Sequence, residues 1–346
     1  MLLHGTATRI TVSALAMALV ALAPSAARAD SGSVTRVHLT GDVRIPGGTT
    51  VELLRRTLVL TAGEKRHLAA RLETTSSTTG TVGLTNRITC TDSTGAPASV
   101  VAAAARNHEG YDTETYAKPG HLPVIADLLL TAPATGTYSC VLYGSAYSTL
   151  SGSYHLTAVA GTTWLDISDS DQTGAQWWQN PACESADTAG LCTYVGDGAA
   201  DAWIFYDDGT PPIKWKADPS AVTVTAQANL ELTTCYKGTA SCADTREEYA
   251  RGKNAVADIR FEFIQLDSTG HACRTHSTAS RKTITDEGHH FITRHRLPNI
   301  PVEAACGTRT FRMRIYVKHV SGQTLKVDGL QGGATSLTNG IAFNDR

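Results

Sequence analysis

The chain has 346 residues, with 30 Lys and Arg against 32 Asp and Glu, long enough to bury two cores of ordinary size. Its slightly acidic balance argues against a nucleic-acid partner, which needs a basic face. Continuous helical periodicity is nearly absent while Thr, Ser, Val and Gly are plentiful, which points to an all-β fold.

The first element is a targeting segment. Residues 1–29 carry the three parts of a cleavable secretory signal: His4 and Arg9 without an acid, an apolar run from Thr11 to Ala23, and small residues at Ala27 and Ala29 before Asp30. The apolar run is shorter than the ~20 residues a spanning helix requires, and no second such run follows. The expectation is a secreted, extracellular protein with no membrane span in the mature chain. Loss of Arg9 and Arg28 leaves 28 basic against 32 acidic residues, a net charge of −4. Arg clearly outnumbers Lys, a bias of high-GC bacteria.

All eight cysteines lie beyond the signal: Cys90, Cys140, Cys183, Cys192, Cys235, Cys242, Cys273 and Cys306. An even count in an exported chain favours disulfides. No C-x-x-C occurs, so zinc and redox readings have little support. The simplest pairing joins neighbours along the chain: 90–140, 183–192, 235–242 and 273–306.

Strands and turns then follow in two similar sets. Asp92-Ser93-Thr94-Gly95, His121-Leu122-Pro123 and Thr137-Tyr138-Ser139-Cys140 recur as Asp267-Ser268-Thr269-Gly270, His295-Arg296-Leu297-Pro298 and Thr310-Phe311-Arg312-Met313. Leu72-Glu73-Thr74-Thr75 has a fainter echo in Glu231-Leu232-Thr233-Thr234. Ile259 to Phe263 alternates apolar and charged residues, as do Phe311, Met313, Ile315 and Val317 with Arg312 and Arg314, the period of a half-buried strand. The expected architecture is two tandem immunoglobulin-like or jelly-roll-like β-sandwiches related by internal duplication. The first spans 31–160 and the second 219–346. The segment 161–218 between them is rich in Trp and Asp, and either connects them or supplies the first strands of the second. A 90–140 bridge would span a sandwich core, as the inter-sheet bridge of immunoglobulin domains does, with Gln265 and Met313 at the matching positions of the second copy.

The phrase Leu130-Thr131-Ala132-Pro133-Ala134-Thr135-Gly136-Thr137-Tyr138 resembles the last strand of small secreted bacterial β-sandwich modules such as pre-peptidase C-terminal domains. The likeness is confined to this stretch. It implies a β-sandwich fold and a non-catalytic accessory role, and it transfers no functional residue.

The segment 161–218 holds all five tryptophans, Trp164, Trp177, Trp178, Trp203 and Trp215. Indole faces beside carboxylates suit a glycan surface; the competing reading buries them between domains. Trp177, Trp178, Trp203 and Trp215 are the candidate binding residues. Adjacent Trp177 and Trp178 cannot both face one core if they lie on a strand. Asp169, Asp171 and Thr173, followed by Gly174, match the start of a calcium loop, but the twelfth position is Asn180 rather than Glu and no helix pattern flanks it, so an ordinary solvated acidic turn is the better reading. No other cofactor is expected. A histidine cluster, His271, His276, His289, His290 and His295, lies among arginines that oppose a metal cation and reads as a solvated face.

No nucleophile elbow occurs, and His108-Glu109 begins a zinc-protease motif that lacks its second histidine. The leading expectation is a non-catalytic extracellular binding protein acting on a glycan or a secreted protein. The alternatives are an extracellular hydrolase, and an inhibitor or modulator of a secreted protease acting through loops 183–192 or 235–242.

Overall fold

The computed structural model describes residues 33–98, 101–108, 120–148, 153–178, 193–195, 202–204, 214–234, 254–285, 290–328, 330–331, 335–336 and 338–345. The signal segment, Cys183, Cys192, Cys235, Cys242 and His289 lie outside these residues. Among the described residues there is no α-helix, and no helix is long and apolar enough to cross a membrane.

Ten strands build the first sandwich: β1 (Val34–His38), β2 (Val43–Pro46), β3 (Thr49–Leu60), β4 (Lys65–Ser76), β5 (Val82–Thr91), β6 (Val101–His108), β7 (Leu122–Thr131), β8 (Gly136–Tyr147), β9 (His155–Ala158) and β10 (Trp164–Ser168). One sheet runs β6-β5-β8-β3. In the other, β4 is central, with β7 along one edge and β9 and β10 sharing the opposite edge; β2 and β1 extend from these. Alternation along each strand sends Leu68, Leu72, Leu84, Ile88, Leu128 and Leu142 into one shared core. The Tyr138 hydroxyl, at the start of β8, donates to the carbonyl of Ala134 four residues upstream, the arrangement of a tyrosine corner.

The rest of the chain forms β11 (Gly174–Trp178), β12 (Thr193–Val195), β13 (Ala202–Ile204), β14 (Lys214–Lys216), β15 (Thr223–Thr234), β16 (Ala255–Leu266), β17 (Ala272–Ile284), β18 (His290–Pro301), β19 (Thr310–Gly322), β20 (Leu325–Asp328), β21 (Leu330–Gln331), β22 (Thr335–Ser336) and β23 (Asn339–Asn344); all belong to the second sandwich except β21 and β22, which extend the first sandwich's sheet beyond β6. The pairing in the second sandwich repeats the first strand for strand. β17-β16-β19 reproduces β6-β5-β8, with the short β13 and β14 together in the place of β3. Central β15 carries β18 on one edge and β20 and β23 on the other, followed by β12 and β11. The core holds Leu230, Phe261, Phe263, Phe311, Met313 and Ile315. Thus Trp164–Ser168 closes the first strand set, and Gly174–Trp178 opens the second.

The repeated turns agree bond for bond. Asp92 Oδ1 accepts from Thr94 N at 2.8 Å, Thr94 Oγ1 at 2.6 Å and Ala96 N at 3.0 Å. Asp267 Oδ1 accepts from Thr269 N at 2.8 Å, Thr269 Oγ1 at 2.6 Å and His271 N at 3.0 Å. Both turns close on a glycine with positive φ, Gly95 at 86° and Gly270 at 87°, a conformation that costs glycine little. The His-Pro words do not correspond, however. Glu73 of β4 pairs with Pro123, and Glu231 of β15 pairs with Ile292, so His121 is matched by His290 rather than His295. His121 Nδ1 lies 2.9 Å from Glu73, and His290 Nδ1 lies 3.4 Å from Glu231. The repeat therefore preserves a buried Glu–His pair that the shared words misalign.

Two bridges are present as expected, Cys90–Cys140 and Cys273–Cys306. The first is not an inter-sheet bridge. Cys90 and Cys140 are register partners on neighbouring strands β5 and β8, with Cα atoms 4.0 Å apart. In the second copy Gln265 pairs with Phe311 rather than Met313. The Gln265 amide donates to Glu303 O and Thr308 O and accepts from Glu303 N, which fixes the turn that carries Cys306. The bridge at 90–140 closes a separation of 50 residues. Replacing both cysteines with serine should lower the unfolding free energy by about 4 kcal/mol on the loop-entropy model, read from urea denaturation. A loss under ~1 kcal/mol would show that the paired β5–β8 strands already restrict the unfolded chain.

Candidate functional site

The strongest concentration of buried polar chemistry lies where the two sandwiches meet. β15 alternates apolar with polar residues, and in an isolated sandwich its polar row would face water. Here Thr225, Gln227, Asn229, Glu231 and Thr233 are all buried. The first sandwich covers them with residues of β4, β7 and β6. Asp127, in the middle of β7 and 1% exposed, accepts a two-pronged bond from Arg294 of β18, Nε at 2.8 Å and Nη2 at 2.9 Å. Asn229 donates to the same carboxylate at 3.2 Å. Arg294 also donates to Gln227 Oε1 at 3.0 Å, and Gln227 Nε2 lies 3.0 Å from His67 Nε2. Gln176 of β11 accepts from Leu129 N at 2.8 Å and donates to Asp127 O at 3.2 Å. Apolar contact fills the gaps: Leu129 against Ile341 and Phe343, and the His67 ring stacked 4.9 Å from Phe343.

Electrostatics bind this network. Burial alone would push the Asp127 carboxyl up, but the Arg294 guanidinium, with His67 beside it, outweighs burial and holds the group well below the usual carboxylate range. Deeper in the second core, His295 faces Phe261. Burial, with a contribution from Lys282, lowers its pKa to about 4. The solvated histidine face expected from sequence is therefore wrong at His295, because strand alternation puts this residue inward.

The candidate tryptophans do not share one surface. Trp215 is 7% exposed and belongs to the second core, with ring centroids 6.5 Å from Phe263 and 6.1 Å from Phe311. It is a packing residue. Trp177 is partly buried against the same core. Its neighbour Trp178 pairs with Asn339 through the backbone. Trp203 lies on β13 opposite Tyr316; its side chain and that of Trp178 are outside the described residues. Trp164, on the outer face of the first sandwich, lies under the Arg36 guanidinium at 4.2 Å, and Arg36 in turn pairs with Asp166.

The calcium candidates are engaged by protein donors. Asp169 accepts from the Thr35 hydroxyl, which, with Ser33, holds its pKa below the ordinary value. Asp171 accepts from Lys65 N at 2.6 Å, and the Thr173 carbonyl accepts from Asn344 N at 3.0 Å. These bonds tie the first sandwich to the second at the point where the chain passes between them. Among the described residues, no group of three or more His, Cys, Asp or Glu side chains is placed to hold a metal ion.

The sequence reading missed the Asp127–Arg294 pair. Its signal was present: Asp127 is the one charge in the otherwise apolar run Leu122–Leu130, and a charge in a buried strand demands a partner.

No family model matches the chain, and no curated protein matches it. Among solved structures, the infectious bursal disease virus VP2 subviral particle matches with 9% identity and a TM-score of 0.30, over 97% of this chain and 46% of that one. The chain thus spans about half the length of that protein. The tandem CBM22-1-CBM22-2 domain of Paenibacillus barcinonensis Xyn10C matches with 10% identity and a TM-score of 0.23, over 92% of this chain and 99% of that one. At these scores the strand pairing described above carries the fold assignment.

Replacing Asp127 with Asn should destabilise the protein by about 2–3 kcal/mol, toward the lower end for a broken buried pair, because Arg294 loses its two-pronged partner while its side chain stays 22% exposed to water. Asp127→Leu with Arg294→Met should recover most of that loss in urea unfolding. A separate pH effect follows from His295. Its folded pKa of about 4 lies below the unfolded value of ~6.5, so the unfolded chain takes up the proton first. Stability should fall by up to about 3 kcal/mol as pH drops from ~6.5 to ~4, and His295→Leu should flatten that part of the stability–pH curve.

Proposed function

We propose that the protein is an extracellular, non-catalytic binding protein that recognises a glycan on the outer faces of its sheets. The intramolecular disulfides support an oxidising destination. The observation that carries the reading is the recurrence of guanidinium–aromatic pairs on these outer faces. Arg36 lies 4.2 Å from the Trp164 ring, Arg87 lies 5.2 Å from Tyr143, and Arg260 lies 5.2 Å from Tyr316. Each pair offers a planar fork of hydrogen-bond donors beside an apolar ring. Sugars present hydroxyls at the ring edge and C–H groups on the ring face, and such a pair meets both. The faces sit on two cores whose strands are cross-linked by buried polar bonds, so little ordering is needed when a ligand arrives.

Intrinsic fluorescence titrated with a panel of plant and cell-wall polysaccharides tests this reading. Binding of at least one polysaccharide is expected, and Trp164→Ala or Tyr143→Ala should weaken it by about tenfold, the value of one stacking contact. Absence of binding across the panel would remove the glycan reading.

A further inference from the structure

The outer face of the β17-β16-β19 sheet has a charge unlike that of the rest of the molecule. The inward residues of β16 and β19, among them Phe261, Phe263, Met313 and Ile315, fill the second core. The outward residues are cationic. Arg260 comes from β16, Arg281 from β17, and Arg312, Arg314 and Lys318 from β19. The edge strand β14 places Lys214 directly opposite Arg312 and adds Lys216 two residues on. The acids on these rows are Asp258 and Glu262. In a chain with 30 basic and 32 acidic residues, this excess is local.

The acids also orient the cations. Asp258 takes two bonds from Arg281, at 2.6 and 2.7 Å. Glu262, nearly buried, lies between Arg260 at 2.8 Å and Arg314 at 2.7 Å. The guanidinium groups are thereby held in place and remain accessible: the side chains of Arg260 and Arg281 are 45% and 62% exposed. Lys214, Lys216 and Lys318 are exposed as well. Tyr316 lies beneath Arg260 in the middle of the face.

We propose that this face binds a polyanionic polysaccharide, one carrying carboxylate or sulfate groups along an extended chain. The proposal rests on the extracellular glycan-binding reading and specifies the charge of the ligand. Cations on a sheet recur every ~6.8 Å along a strand and ~4.8 Å between strands. Such a flat, repeating field matches an extended polymer of regular charge better than a compact ion. Charge complementarity selects the anion, Arg provides the paired donors a carboxylate or sulfate accepts, and the Tyr316 ring can meet a sugar face.

The test uses the full secreted chain with polygalacturonate as probe, dextran as the neutral control and single-stranded DNA as a competing polyanion. Two variants are compared with the wild type, Arg281→Gln/Lys318→Gln and Lys214→Gln/Lys216→Gln. They lie at different parts of the face, so misfolding of one leaves the other informative, and thermal unfolding checks both. The expected result is polygalacturonate binding that weakens at least about tenfold between ~0.05 and ~0.5 M NaCl. Each folded variant should lose a further several-fold of affinity. Polygalacturonate binding untouched by either folded variant, or none, overturns the proposal. Tighter binding of the DNA than of polygalacturonate overturns the choice of a glycan anion. If dextran or another neutral glycan binds through Trp164 or Tyr143 while both variants behave as wild type, this proposal fails and the broader glycan reading stands.

Discussion

The constraint on which the molecule depends is the burial of a polar sheet face. The polar row of β15, from Thr225 to Thr233, would ordinarily be hydrated. Instead it lies under the first sandwich, so each donor and acceptor needs a protein partner. Asp127 and Arg294 supply the strongest of these bonds, a two-pronged ion pair whose carboxylate is buried and whose guanidinium is partly covered. A buried ion pair adds little net stability compared with a well-packed apolar pair. Its contribution here is register: shifting one sandwich against the other by a residue would leave Asp127, Arg294, Gln227 and Asn229 unsatisfied together. The tandem is thereby held in one arrangement, and the outer faces keep fixed positions relative to one another.

Sequence periodicity revealed the strands but not the layers. β16 and β19 alternate clearly because one side meets a core and the other bears charge. β15 alternates in the same way, yet both of its sides are buried, since a polar residue satisfied by another sandwich and a polar residue satisfied by water look alike in sequence. The tryptophans show the same limit. Trp215 and Trp164 share a composition-rich segment, but their strands place one in a core and the other beneath Arg36. The turns at Asp92 and Asp267 were legible because an Asp-x-Thr-Gly turn makes its bonds locally. The Glu73–His121 and Glu231–His290 pairs were not, because their correspondence depends on register between strands. Cys90 and Cys140 illustrate both cases: chain order suggested the pair, but only strand pairing shows that they are neighbours within one sheet.

The two copies differ at equivalent strands β6 and β17. β6 presents Ala103 and Ala105, both buried, and β22 adds to it in parallel. Ala105 N donates to Glu231 of the second sandwich at 3.3 Å, and Arg106 lies over Phe291 at 4.6 Å. Small residues allow that close approach. The matching strand β17 carries Arg274, His276, Arg281 and Lys282 instead, and the Lys282 ammonium turns inward to within 5.9 Å of the Phe291 ring. Charges along an edge, and an inward-pointing lysine in particular, oppose the addition of another strand.

This difference follows from the geometry of the contact. The first sandwich brings its β6 edge together with outward side chains of β4 and β7, among them His67, Asp127 and Leu129, against the outer face of the second. The β1–β10 part of the first copy's outer face, with Arg36, His38 and Trp164, stays at least partly exposed. The charged β17 removes the matching edge. Of the basic residues along this edge, Arg281 also belongs to the cationic face beside it.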